Sequence, residues 1–205
     1  MTSQDRQRNR NNRKSKRAIL VSYEGNNKTE RYYFDGFNNR DANFTIKVVP
    51  GNETDPVSLV KQTIKESNKL GLILDEDDRA FCIFDTDVNP QKNDQIKLAI
   101  ELADENNIKV ITSAPCVELW FLLHYTYTTA PMNGNDVINK LKDYYPKYSK
   151  NCSMYSVLYD NIGEAYSRSK KLEKYHKDNG NDVQTVEANP HTDIYKIIDE
   201  LNEDA

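Results

Sequence analysis

Apolar positions follow two rhythms along this 205-residue chain: short continuous runs, and longer stretches that repeat at a helical period. The runs at 17–23, 44–49, 79–85 and 108–112 are rich in β-branched and aromatic residues and bounded by turn formers, which predicts buried strands. Between them the helical period predicts a helix beginning near Thr29, one opened by Asp55-Pro56, and one over 93–106. Asp suits the cap of such a helix and Pro its first turn. This alternation implies an α/β core over 18–125, a mostly parallel sheet covered by helices on both faces. The stretch 115–125 is apolar all round and predicts a buried helix. Beyond Tyr125 the character changes. Residues 126–155 are rich in Tyr, Asn, Lys and Pro with a short helix expected at 136–144, and helical patterns follow at 157–174 and 194–201, separated by a polar stretch at 178–189. Residues 126–205 are therefore expected to form a helical extension packed on the core.

Composition narrows the class. The chain is long enough to bury one core of ordinary size. No apolar stretch reaches the roughly 18 residues that span a bilayer, and the N-terminus has no apolar segment of the secretory kind. Three cysteines, Cys82, Cys116 and Cys152, are odd in number and widely spaced, which suits reduced thiols better than a disulfide framework or a zinc site. A soluble cytoplasmic protein without membrane association is expected. Charge is uneven: seven basic residues against Asp5 give residues 1–17 a charge of +6, so with a net charge of −4 the remainder carries −10. Almost devoid of apolar residues, this arm is expected to be disordered in isolation, as a contact for phosphate backbones or as a merely solvated tail.

Candidate chemistry gathers where the runs end. Glu24-Gly25 closes the first, and Asp85-Thr86-Asp87 closes the third. Ligands of open α/β sheets collect beyond the carboxyl ends of the strands, and a hard divalent cation, Mg²⁺ or Mn²⁺, is the simplest reason to gather acids there. Asp85 and Asp87 share a face of an extended segment and can reach one ion, although an Asp-x-Asp alone also reads as a turn. Glu118, an acid at the start of the apolar stretch, needs a partner if buried, and a helix dipole, a cation or a metal would each serve. His124 stands at helical spacing from Val117, Trp120 and Phe121 and is expected on the core side, hydrogen-bonded there, with an acid-base role as the alternative. The tyrosines beyond 125 are read as packing rather than base-stacking groups. His176 and His191 carry no clear signal.

Four segments together carry a resemblance: Tyr23-Glu24-Gly25 with Lys28-Thr29-Glu30, Phe84-Asp85-Thr86-Asp87, the stretch from Ser113 to His124, and Asn189-Pro190-His191-Thr192. They closely resemble the RloB family over nearly the whole chain after the arm. The resemblance implies a Toprim-like fold, with a glutamate after the first strand and an Asp-x-Asp after the third. It implies a metal-dependent phosphodiesterase or nuclease acting on RNA, tRNA included, or on DNA, in bacterial phage-defence and abortive-infection systems with an ATPase partner. On that reading Glu24, Glu30, Asp85, Asp87 and Glu118 are the metal ligands, and a late lysine would fall at Lys170 or Lys171. A non-catalytic Toprim-like binding or regulatory subunit of an ATPase-containing complex is the alternative. A phosphatase with an aspartate nucleophile fits less well, because its Asp-x-Asp belongs on the first strand.

Overall fold

The computed structural model describes residues 16–26, 28–51, 55–86 and 89–202. Four parallel strands, β1 (Arg17–Tyr23), β2 (Phe44–Pro50), β3 (Arg79–Asp85) and β4 (Ile108–Ala114), build the sheet. A two-residue strand β5 (His191–Thr192) runs antiparallel to β4, giving the order β2-β1-β3-β4-β5. The expected strands are found where the runs lie. Of the expected arm, residues 1–15 lie outside the described residues, and its last residue is not free: Arg17 opens β1, with its guanidinium on Glu200.

Burial on both faces explains why these strands read as unbroken apolar runs. Ile19, Val21 and Tyr23 of β1 point to one side with Ile46, Val48, Phe81, Ile83 and Ile111, whereas Leu20 joins Ala80, Cys82, Phe84 and Ile108 on the other. The second face is covered by α2 (Pro56–Leu70) and α3 (Asn93–Asp104). Asp55 caps α2, its side chain accepting from the Ser58 N–H at 2.9 Å, with Pro56 in the first turn as expected. The first face is covered by α1 (Thr29–Phe34) and by α4 (Glu118–Leu123), every residue of which is buried.

The chain beyond Tyr125 enters that same first-face core. It forms α5 (Gly134–Tyr144), α6 (Tyr155–Leu158), α7 (Ile162–Asp178) and α8 (Ile194–Asn202), whose Val137, Leu141, Leu158, Leu172, Ile194 and Ile198 pack with α4 and the sheet. Besides helices it supplies β5. The Ser113 and Thr192 hydroxyls meet at 2.8 Å, and Ser169 donates to the Thr192 carbonyl at 2.6 Å.

The order of connection fixes where a site can form. From β1 the chain moves outward through α1 to β2, then crosses back through α2 to β3 and on through α3 to β4. The direction of winding therefore reverses between β1 and β3. In open α/β sheets the loops part at such a reversal and leave a crevice at the carboxyl ends of the strands.

Candidate functional site

Glu24 leaves β1 at this reversal, its N–H donating to the Ile83 carbonyl of β3 at 3.1 Å. Gly25 follows at φ +77°, a left-handed conformation that costs glycine little and turns the chain away behind the carboxylate. Asp85 ends β3 beside Ser113 of β4. Two acids thus close adjacent central strands. Asp87 lies outside the described residues.

Two further acids approach from helices on the first face. Glu30 stands in the first turn of α1 and Glu118 opens α4, 7% and 2% exposed respectively. Glu118 accepts the Tyr148 hydroxyl at 2.8 Å. Burial pushes the Cys116 thiol upward, and the negative charges of Glu118 and Asp85 add to the effect. For Glu30, burial raises the carboxyl to about 7; Glu118 and Glu24 push the same way, while its own backbone N–H and Lys150 oppose them. The acids of β1, α1 and α4 therefore feel one another. A cavity of about 340 Å³ opens between them, lined by Asp85, Cys116, Glu118 and Lys150 and by residues 133–135 at the start of α5. Glu24 and Glu30 do not line this cavity.

Carboxylate oxygens are the donors that hard divalent cations prefer. Glu30 Oε2 is buried without a hydrogen-bond partner, an acceptor with capacity for such an ion. Donor chemistry therefore fits Mg²⁺ or Mn²⁺. Among the described residues no three His, Cys, Asp or Glu side chains stand close enough together to hold an ion unaided. Asp85 and Glu118 at the cavity, with Glu24 and Glu30 in electrostatic reach of Glu118 or of one another, form an acidic rim rather than a closed cage.

No motif in the sequence marks the loop between α5 and α6, yet it holds this rim together. Tyr148 reaches Glu118, and Asn151 Oδ1 accepts the N–H of Lys28 just ahead of α1, at 2.8 Å. Lys150, between them, lines the cavity. Lys170 and Lys171, the positions at which a late lysine would fall, are on α7 and do not line it. Lys170 bonds the Tyr166 hydroxyl at 3.2 Å, and Lys171 stands 4.3 Å over the Tyr127 ring. One local signal for the far wall exists in the sequence: Asn133 and Asp136 form a reciprocal capping box that starts α5.

His124 is buried in the core as expected, its Nδ1 2.9 Å from the Trp120 carbonyl. A carbonyl only accepts, so Nδ1 carries the proton. Burial lowers the ring to about 4, leaving it neutral, and neither Trp120 nor His124 lines the cavity. His176 and His191 fasten β5. His176 Nε2 donates to the Pro190 carbonyl at 2.9 Å, and His191 Nε2 lies 3.2 Å from Asp193, which Lys196 also pairs at 2.7 Å.

A family model described as RloB-like protein matches residues 19–201. The chain belongs to the RloB-like family. That span takes in Glu24, Glu30, Asp85 and Glu118 and runs into α8, so the acidic rim and the edge strand both fall within the RloB-like unit. Comparison with curated proteins and with solved structures gave no match. No helix of the described residues is long and apolar enough to cross a membrane.

Proposed function

We propose that this RloB-like chain is a metal-dependent nuclease of Toprim type, acting on RNA, tRNA included, or on DNA as an effector of bacterial anti-phage defence together with an ATPase partner. The observation that carries the reading is the placement of Glu24 and Asp85 at the ends of adjacent parallel strands, at the winding reversal, with buried Glu30 and Glu118 on the same rim. A divalent ion bound there would supply charge neutralisation at a scissile phosphate and an activated water. Asp85 and Glu118 line the cavity, and the charges of Glu118 and Glu24 are felt at Glu30. Burial raises Glu30 to about 7, and a cation held beside it would favour its carboxylate form. The defence role and the ATPase partner rest on the family resemblance of the motifs around Glu24, Asp85 and Glu118.

A second reading, a non-catalytic regulatory subunit of an ATPase-containing complex, draws support from the same acids, which suit the docking of a basic partner. The two readings part in one experiment. Labelled tRNA, single-stranded RNA and plasmid DNA are incubated with the protein, alone and with an ATPase partner of the proposed kind, in Mn²⁺, Mg²⁺ or EDTA. The nuclease reading expects cutting that EDTA abolishes and that falls at least about 100-fold in Asp85→Ala and in Glu24→Ala, as loss of metal-held charge stabilisation does. No cutting under any of these conditions, with ATPase binding unchanged in both variants, would favour the regulatory subunit.

A further inference from the structure

We propose that Lys150 holds a phosphodiester oxyanion at the mouth of the cavity, making the outer wall a phosphate subsite opposite the carboxylates of Asp85 and Glu118. This deepens the nuclease reading and rests on it for the nature of the ligand. Asp85 and Glu118 line the cavity, and alone these charges would repel a nucleic-acid backbone. Lys150 is the cation among the lining residues, and its charge is felt at Glu30.

Lys150 has no structural task that would account for its position. Among the described residues it makes no ion pair and no side-chain hydrogen bond, unlike Lys69, Lys109, Lys177 and Lys196, each of which pairs with a carboxylate. Yet the loop presenting it is anchored on both sides. Tyr148 is fastened to Glu118, and Asn151 is fastened to the Lys28 N–H while its own backbone sits at φ +78°. Two local bonds, Tyr148 N–H to the Tyr145 carbonyl at 2.9 Å and Cys152 N–H to the Ser149 carbonyl at 3.1 Å, tighten the turn. An exposed ammonium on a fixed loop, facing acids it does not touch, is arranged to meet a third, anionic party between them. A cavity of about 340 Å³ has room for one sugar-phosphate unit. A nucleic-acid phosphodiester is therefore the ligand class, and a flexible single strand is the probe that can present one phosphate at a time.

The test reads Lys150 itself, so that binding elsewhere on the chain does not obscure it. The full chain is pulsed with an amine-acylating reagent in Ca²⁺, with and without a 12-nucleotide single strand, and acylation of each lysine is quantified by mass spectrometry. In parallel the affinity of a labelled copy of that strand is measured for wild type, Lys150→Ala, Lys150→Arg and Lys171→Ala. The expected result is at least about threefold slower acylation of Lys150, with Lys171 unchanged. Affinity should fall about tenfold in Lys150→Ala, the size of one charge-assisted contact, and recover within about threefold in Lys150→Arg. Lys150 acylation indifferent to the strand, or Lys150→Ala binding as wild type does, would overturn the subsite. The nuclease reading fails separately: Lys150 protected by the strand, with no cutting in Mn²⁺, leaves a phosphate site on a non-catalytic protein.

Discussion

At the scale of single residues, Glu30 ties the candidate site to stability. Its ordinary value is 4.5 and burial raises it to about 7 in the fold. Between those values the unfolded chain has already lost the proton that the folded chain keeps. Stability from this group is therefore complete below about pH 4.5 and is lost as pH rises through 7. Glu30→Gln, which cannot ionise, should remove that slope: urea unfolding of wild type at pH 5 and pH 8 should show about 2–3 kcal/mol more loss than the variant does. Millimolar Mn²⁺ should shrink the wild-type loss if Glu30 serves an ion, because a bound cation favours the carboxylate. A flat wild-type profile would mean that Glu30 is ionised without help. Tyr148→Phe removes the donor to buried Glu118 and should cost about 1–3 kcal/mol, readable in the same unfolding curves.

At the scale of elements, one carboxylate of α8 reaches three strands of the sheet. Glu200 meets Arg17 at 3.0 Å, Arg79 at 2.7 Å and Lys109 at 3.0 Å, so three strands converge on one helix at the end of the sheet opposite the cavity. Burial by itself would raise this carboxyl; Lys109, Arg79 and Arg17 outweigh it and hold it below the usual range. Its contribution is thus present above the ordinary glutamate value and is lost as pH falls below it. Glu200→Ala should cost about 3 kcal/mol in denaturant unfolding at pH 7, because it removes the carboxylate on which three cations converge, and much less at pH 3. What the chain reveals of its elements follows the same logic of local and distant contacts. Strands buried on both faces leave continuous apolar runs, and α2 announces itself through Asp55-Pro56. By contrast β5 has two polar residues, and its place depends on Ser113, 79 positions away, so no local pattern marks it. Glu24, Asp85 and Glu118 were legible because each follows a strand, whereas Lys150 resembles any solvated lysine until the fold brings its loop to the cavity.

At the scale of the whole molecule, the sheet has two ends with opposite roles. The parallel strands enter at Arg17 and Arg79 and leave at Glu24 and Asp85, so the basic segment preceding β1 is rooted at the end away from the acidic rim. Seven residues of β1 separate the two ends, roughly 20 Å at the usual rise per strand residue. Arg17 is committed to Glu200, and Lys16 donates to the Asn39 and Arg40 carbonyls at 3.1 and 2.9 Å; the other basic residues of the segment in the sequence are Arg6, Arg8, Arg10, Arg13 and Lys14. Attraction by that segment and chemistry at the cavity should therefore be separable. Replacing Arg6, Arg8, Arg10 and Arg13 with Gln should lower single-strand affinity and flatten its dependence on log salt by up to about 3, at roughly 0.7 for each phosphate no longer neutralised. Turnover at saturating substrate should stay within about twofold if the segment serves only to attract the strand. An unchanged salt slope would mean a segment that does not touch the strand. A collapse of turnover with affinity preserved would mean that the segment folds back some ~20 Å to the cavity and acts there beside Lys150.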